Sequence, residues 1–264
     1  SVSRGLGDVY KRQRLYRPDR MVFFVYGRIE PAYACREITK ALKRVASSLP
    51  EGHPLQTLLH TDASPARPDR NDAGRTAVPE YRPQTVTLHK DTHQAHVMIG
   101  ARAYSARDPR HLSLYLLNNI LGGPGMNSRL NLSLREKHGL VYTVESVMTT
   151  YTDTGLWNVY FGCDPHDVKR CMRLVRSELN RVCDHSLTET QLANAKRQLK
   201  GQIGIACDNR ESFALDFAKS FLHYGWEKDT ERLFAQIDSV TAADIQQVAQ
   251  TVFDPTQLTT LIYK

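Results

Sequence analysis

Cysteine is scarce in this 264-residue sequence: Cys35, Cys163, Cys171, Cys183 and Cys207 are all there are, and no two form a C-x-x-C pair. An odd, scattered set argues against a disulfide framework and against a cysteine zinc site. It fits a reducing, cytoplasmic setting. Long apolar runs are missing too. Met21–Val25 is typical of the longest, far short of the roughly 20 apolar residues a spanning helix needs, so no membrane partner is expected. H-E-x-x-H and H-x-x-E-H are both absent, as is G-x-S-x-G. Neither orientation of the helical zinc-protease motif is therefore encoded, and neither is a serine nucleophile elbow.

What is present is ordinary for a globular chain: 41% hydrophobic and 24% charged residues. The length suits one large domain or two small ones. The formal net charge is +7, with a sequence pI near 9.2, and much of the excess lies in the first 85 residues. Those arginines are scattered among prolines and aspartates with no recognition motif, so nucleic acid is not an expected partner. Ser1–Gln13 is basic, contains Gly and Ser, and has no helical or strand period. It is expected to be a foreign or disordered segment, with the domain proper occupying 14–264.

Met21–Ile29 reads as a buried strand. Pro31 opens a helix with Ile38, Leu42 and Val45 on one face, stopped by Pro50. A polar loop covers about 50–83. Two β-type segments follow, Gln84–His89 and His96–Ala103. Asp108-Pro109 then starts a helix carrying Leu114, Leu117 and Leu121, which Gly122-Gly123-Pro124-Gly125 breaks. A short helix, about Met126–Lys137, ends at Gly139, suited to a left-handed cap. Leu140–Tyr151 and Leu156–Cys163 form a hairpin around Asp153-Thr154-Gly155. Helices dominate the rest: Pro165–Cys183, one announced by a capping box at Ser186–Glu189, Glu211–His223, and one opening at Thr241-Ala-Ala-Asp244 with Ile245, Val248, Ala249 and Val252 on one stripe. Leu258–Tyr263 closes as a strand. Strands and helices without a strict β-α-β rhythm predict an α+β fold, a mainly antiparallel sheet with helices packed on one face.

Among candidate sites, His89, His93 and His96 would share a face only on a helix, and they flank a predicted turn. They read as polar turn histidines, and no metal ligand is assigned to this chain. Cys163, with no His or Asp placed beside it, reads as a buried structural thiol. The Gly-rich loop opens a helix and so could hold an anion, but it lacks the Walker lysine and the G-x-G-x-x-G order and reads as a plain helix–loop–helix connection.

The informative stretch is Leu116–Tyr142, LLNNILGGPGMNSRLNLSLREKHGLVY. With its Gly-rich loop, Ser128-Arg129-Leu130, Leu134-Arg135-Glu136-Lys137, Gly139-Leu140 and Tyr142, it resembles the second, non-zinc domain of the insulinase, pitrilysin and mitochondrial-processing-peptidase family of inverted-motif zinc metallopeptidases. Flanking segments support the likeness, which covers about residues 14–264. It implies the C-terminal half of a zinc metalloendopeptidase subunit. Arg135 and Tyr142, seven residues apart, would complete the site. Gly122, Gly123, Gly125, Met126 and Ser128 would line the channel for a peptide substrate. Zinc would be held in the full-length protein or a partner, by a first domain expected to be missing here, so this chain alone should be inactive. A homodimer or heterodimer with a family subunit is the implied assembly. The same likeness admits a non-catalytic structural subunit, comparable to the core proteins of the respiratory bc1 complex.

Overall fold

The computed structural model describes residues 21–48, 80–90, 92–225 and 229–264. The expected foreign segment 1–13, Pro50 and most of the polar loop lie outside these residues. The chain divides into two compact units, Ser1–Ala77 with Ile205–Lys228, and Val78–Gly204 with Asp229–Lys264.

In the first unit, helix α1 spans Pro31–Ser47, with proline in its first turn as expected. Its inward stripe differs by one residue from the expected face. Ala46 is buried and Val45 is exposed, because steps of four from Ile38 through Leu42 lead to Ala46. Met21–Ile29 is not a strand. Its residues alternate between exposed and half-buried as far as Val25, but no neighbouring strand among the described residues takes its backbone groups. Phe24 instead packs its ring on Phe213 and Phe217, at 6.3 and 5.0 Å between centroids. The apolar pattern was therefore legible while the pairing it suggested was not.

The second unit is built on a five-stranded sheet of β1 (Thr85–Leu88), β2 (Ala95–Ala103), β3 (Val141–Thr150), β4 (Gly155–Cys163) and β5 (Thr259–Tyr263). Their order is β1-β5-β2-β4-β3; only the β1–β5 pair is parallel. Register places Ala95, Val97, Ile99 and Ala101 opposite Cys163, Phe161, Val159 and Trp157, and all eight are buried. Alternate residues such as Met98 and Leu156 face outward. Period-two alternation with one buried face is what an antiparallel sheet covered on one side requires.

That face is covered by α2 (His111–Gly122), α3 (Val168–Asp184), α4 (Glu189–Asp208, to Gly204 in this unit), α6 (Thr230–Ser239) and α7 (Ala242–Val252); α5 (Arg210–Tyr224) belongs to the first unit. Leu114, Leu117 and Leu121 of α2 are fully buried, each contributing about 2 kcal/mol of apolar burial. Ile245, Val248, Ala249 and Val252 form the buried stripe of α7, which opens on the expected capping box. There the Asp244 amide donates to Thr241 Oγ1 at 3.1 Å, and the Thr241 amide to Asp244 Oδ2 at 2.8 Å. The box before α4 falls two residues later than expected. Thr188, not Ser186, accepts from the Gln191 amide at 3.3 Å, and Gln191 Oε1 accepts from the Thr188 amide at 3.0 Å. Both registers satisfy the S/T-x-x-E/Q pattern, so the pattern alone does not choose between them.

Where α2 meets β3, backbone approaches backbone. A Cβ on Gly122 would lie 2.6 Å from the Ser146 amide nitrogen and 2.7 Å from its Cβ. Ser146 is also the middle of a buried relay. Its hydroxyl donates to Asn118 Oδ1 at 2.6 Å and accepts from Trp157 Nε1 at 2.9 Å. Three elements are thus joined by two bonds that leave none of these polar atoms stranded. Trp157 in turn packs on Phe253 at 4.4 Å between centroids. Gly122→Ala is expected to cost about 3 kcal/mol through overpacking, read as a lowered urea midpoint at unchanged slope; a midpoint equal to the parent's would show that the α2–β3 contact is not as tight as described.

Candidate functional site

The segment after α2 builds a turn of unusual geometry. Gly123 is bonded back to α2, its amide donating to the Asn119 carbonyl at 3.1 Å. Ser128 N–H donates to the Gly125 carbonyl at 3.0 Å, and Asn131 Nδ2 donates to the Met126 carbonyl at 2.7 Å. Asn127 and Gln198 of α4 exchange amide hydrogen bonds at 3.1 and 3.4 Å. The loop is consequently pinned at several points, and two of its glycines have packing reasons of their own. A Cβ on Gly123 would collide with Asn119, and one on Gly125 with the Asn127–Gln198 pair.

The expected helix begins at Arg129, but Asn131–Lys137 is π-helical. Such segments are rare and recur at functional sites. A π-helix leaves its carbonyls with unusual partners, and one is met by a side chain: His138 Nδ1 lies 2.7 Å from the Ser133 carbonyl. A carbonyl only accepts, so the proton is on Nδ1. Gly139 follows with φ +60°. Its amide donates to the Arg135 carbonyl at 2.9 Å, and the Leu140 amide to the Leu134 carbonyl at 3.0 Å. This is the left-handed cap expected of Gly139, and it reverses the chain into β3.

Arg135 and Tyr142 stand on either side of that reversal. Arg135 keeps 43% of its side-chain surface exposed, with Glu136 Oε1 at a loose 3.8 Å. Tyr142 is 84% exposed. Its hydroxyl has no hydrogen-bond partner among the described residues. Pairing in β3 is irregular at this point, with a register shift between Val141 and Val144. Of the other candidates, Met126 is 68% exposed, whereas Ser128 and Gly122 are buried.

Several features escaped the sequence reading. Arg129 is half-buried; burial lowers its pKa, opposed by the attraction of Glu178 and assisted by the charge of Arg181. Glu178 is 9% exposed at its side chain and takes Arg181 at 3.2 Å. One signal was available: Glu178 falls among Val175, Leu179 and Val182 on the inward stripe of α3, and a carboxylate there needs a cation. The Asn118–Ser146–Trp157 relay and the π geometry had no such signal.

The remaining candidates are accounted for. His96 lies on β2 with Nδ1 2.7 Å from the Tyr160 hydroxyl, while His89 and His93 lie outside the strands. Among the described residues no group of three His, Cys, Asp or Glu side chains could hold a metal ion. Burial first, and the adjacent Cys171 thiol second, push the Cys163 thiol up to about 12, so it is no thiolate at neutral pH. No helix among the described residues is long and apolar enough to cross a membrane.

Residues 12–199 match the family model described as the peptidase M16 inactive domain. The chain belongs to the peptidase M16 family. It is 31% identical over 237 residues to an uncharacterized zinc protease of Streptomyces coelicolor, covering 90% of this chain and 48% of that protein. It is 32% identical over 161 residues to the beta subunit of the mitochondrial-processing peptidase of Bos taurus, covering 58% and 33%. Among solved structures, the peptidase M16 inactive domain from Pseudomonas fluorescens aligns with a TM-score of 0.61 at 20% identity over 69% of this chain and 43% of that one, a likeness of fold. The chain spans about half the length, or less, of these curated relatives. The zinc in the name of the Streptomyces coelicolor relative has no donor set among the described residues of this chain.

Gly139 offers a direct check on the reversal, since a Cβ there meets nothing within 4 Å and only its positive φ opposes a side chain. Gly139→Ala is expected to lose about 1 kcal/mol, and Gly139→Asn clearly less, in chemical denaturation. Equal losses would mean that the left-handed conformation is not what glycine supplies.

Proposed function

We propose that this chain is the C-terminal half of a zinc-dependent endopeptidase subunit and that it contributes Arg135 and Tyr142 to peptide-bond hydrolysis. The observation that carries the reading is Tyr142. An 84% exposed tyrosine without an internal hydrogen bond has no evident structural task, and it stands across the Gly139 turn from an exposed arginine inside the motif that carries the family likeness. A tyrosine hydroxyl can donate to the oxyanion that develops at the scissile carbonyl, a contact worth about 3 kcal/mol. The guanidinium of Arg135 suits a substrate carbonyl or carboxylate through its planar fork. Met126, exposed on the loop, would contact the peptide's side chains; Gly123 and Gly125 shape the loop that carries it, while buried Gly122 and Ser128 support it from beneath.

In this reading the zinc and the activating chemistry come from a first domain or a partner subunit, and the chain alone hydrolyses nothing. A subunit assembly, homodimeric or heterodimeric, belongs to the same proposal, supported by the likeness to a protein named as a beta subunit. A second reading is favoured by the description of the matched domain as inactive: a structural subunit in which Arg135 and Tyr142 touch no substrate.

Tyr142→Phe separates the two. In the full-length protein with its partner, turnover of a peptide substrate is expected to fall about 100-fold or more, with the unfolding midpoint within about 0.5 kcal/mol of the parent because the hydroxyl supports nothing internal. Unchanged turnover would remove Tyr142 from the mechanism and leave the structural reading.

A further inference from the structure

The outward face of α3 carries a feature that the Arg135–Tyr142 reading does not use. A cleft of about 380 Å³ is lined by Arg173, Arg176, Asn180, Arg181, Asp184 and His185. Three of these are arginines, and Asp184 is the one carboxylate. Arg173 is exposed and has no ion-pair partner among the described residues. Arg176 is partly buried; its guanidinium donates to the Phe253 carbonyl at 2.9 Å, which anchors the side chain, and Asp254 attracts it electrostatically. Arg181 is held by Glu178 at 3.2 and 3.4 Å, but that buried carboxylate is shared electrostatically with Arg129. Arg173 and Arg176, three residues apart on one helix, repel one another, which is unfavourable for the isolated helix.

We propose that this face docks an acidic peptide segment of a partner protein. Guanidinium forks match carboxylates bidentately, and two of the three arginines are held by internal bonds, which lowers the ordering cost of binding. Length selects the peptide over a single anion. At 1.5 Å per residue, Arg173 to His185 is about 18 Å of helix, more than one phosphate bridges and suited to several carboxylates in sequence. Asn180, exposed between the arginines, supplies a neutral amide that can bond to peptide backbone. This inference stands independently of the catalytic reading and would survive its failure.

The test is fluorescence anisotropy on the full chain, with a labelled eight-residue peptide of Asp and Glu against its Asn and Gln counterpart. Saturable binding of the acidic peptide alone is expected, weakening as salt is raised. Arg173→Gln should loosen it about fivefold, and Arg173→Gln with Arg176→Gln further, at about 1 kcal/mol per lost contact. Arg82→Gln, removing an exposed cation from outside the cleft, should leave binding unchanged. Because Arg176 also supports Phe253, the single Arg173→Gln variant, with its thermal midpoint measured alongside, carries the decision. No saturable binding, equal binding by Arg173→Gln, an equal loss in Arg82→Gln, or displacement by equimolar inorganic phosphate would each overturn the proposal. The last would assign the cleft to phosphate instead.

Discussion

The contact on which the second unit depends is the meeting of Gly122 with Ser146. It is a backbone-to-backbone approach with no room for a methyl group, and it is locked from the side by the Trp157–Ser146–Asn118 relay. Helix α2 and strands β3 and β4 are fixed to one another there. Each buried polar atom of the relay is satisfied only in this arrangement, so sliding α2 along the sheet would break two hydrogen bonds in a low-dielectric interior. The Gly-rich loop starts at this locked point, and its departure direction is therefore set by packing.

From there to Tyr142 the chain is positioned by a series of small local bonds: the Asn127–Gln198 amide pair, Asn131 on the Met126 carbonyl, His138 on the Ser133 carbonyl, and the left-handed cap at Gly139. None is strong alone, at about 1 kcal/mol each. Together they specify a π-helical turn that a simple α-helix would not reproduce. The helix widens where Arg135 leaves it, and β3 begins irregularly where Tyr142 enters it. Arg135 and Tyr142 end exposed while the segment between them is held by these bonds.

Much of this was legible in the sequence, because period and punctuation are local properties. The buried stripe of α7, the three leucines of α2, the hairpin around Asp153–Gly155 and the cap at Gly139 all follow from spacing and from residues with special backbone freedom. What was not legible depended on partners distant in sequence. Met21–Val25 has the composition of a strand, yet composition does not supply a neighbour to pair with. Ser186 and Thr188 both satisfy a capping pattern, and only the register of α4 decides between them. Asn118, Ser146 and Trp157 are unremarkable singly and matter through their meeting. Around Arg135 and Tyr142 the sequence shows a motif by its resemblance, whereas the packing reason for its glycines could not be read. Their small size serves Ser146, Asn119, Asn127 and Gln198.

The strand order has a consequence for how such a unit is made. β5, at residues 259–263, does not sit at a margin; it lies between β1 and β2 and bonds to both. Everything from β2 to β4 can assemble from neighbouring sequence, but β1 has no place in the sheet until β5 has left the ribosome. The residues from Tyr104 to Leu258 must be synthesised while the inner edge of β2 stands open. Loops of that length close slowly, and an open edge invites wrong pairings during the wait. Of the five strands, the one latest in chain order is the one that completes the sheet.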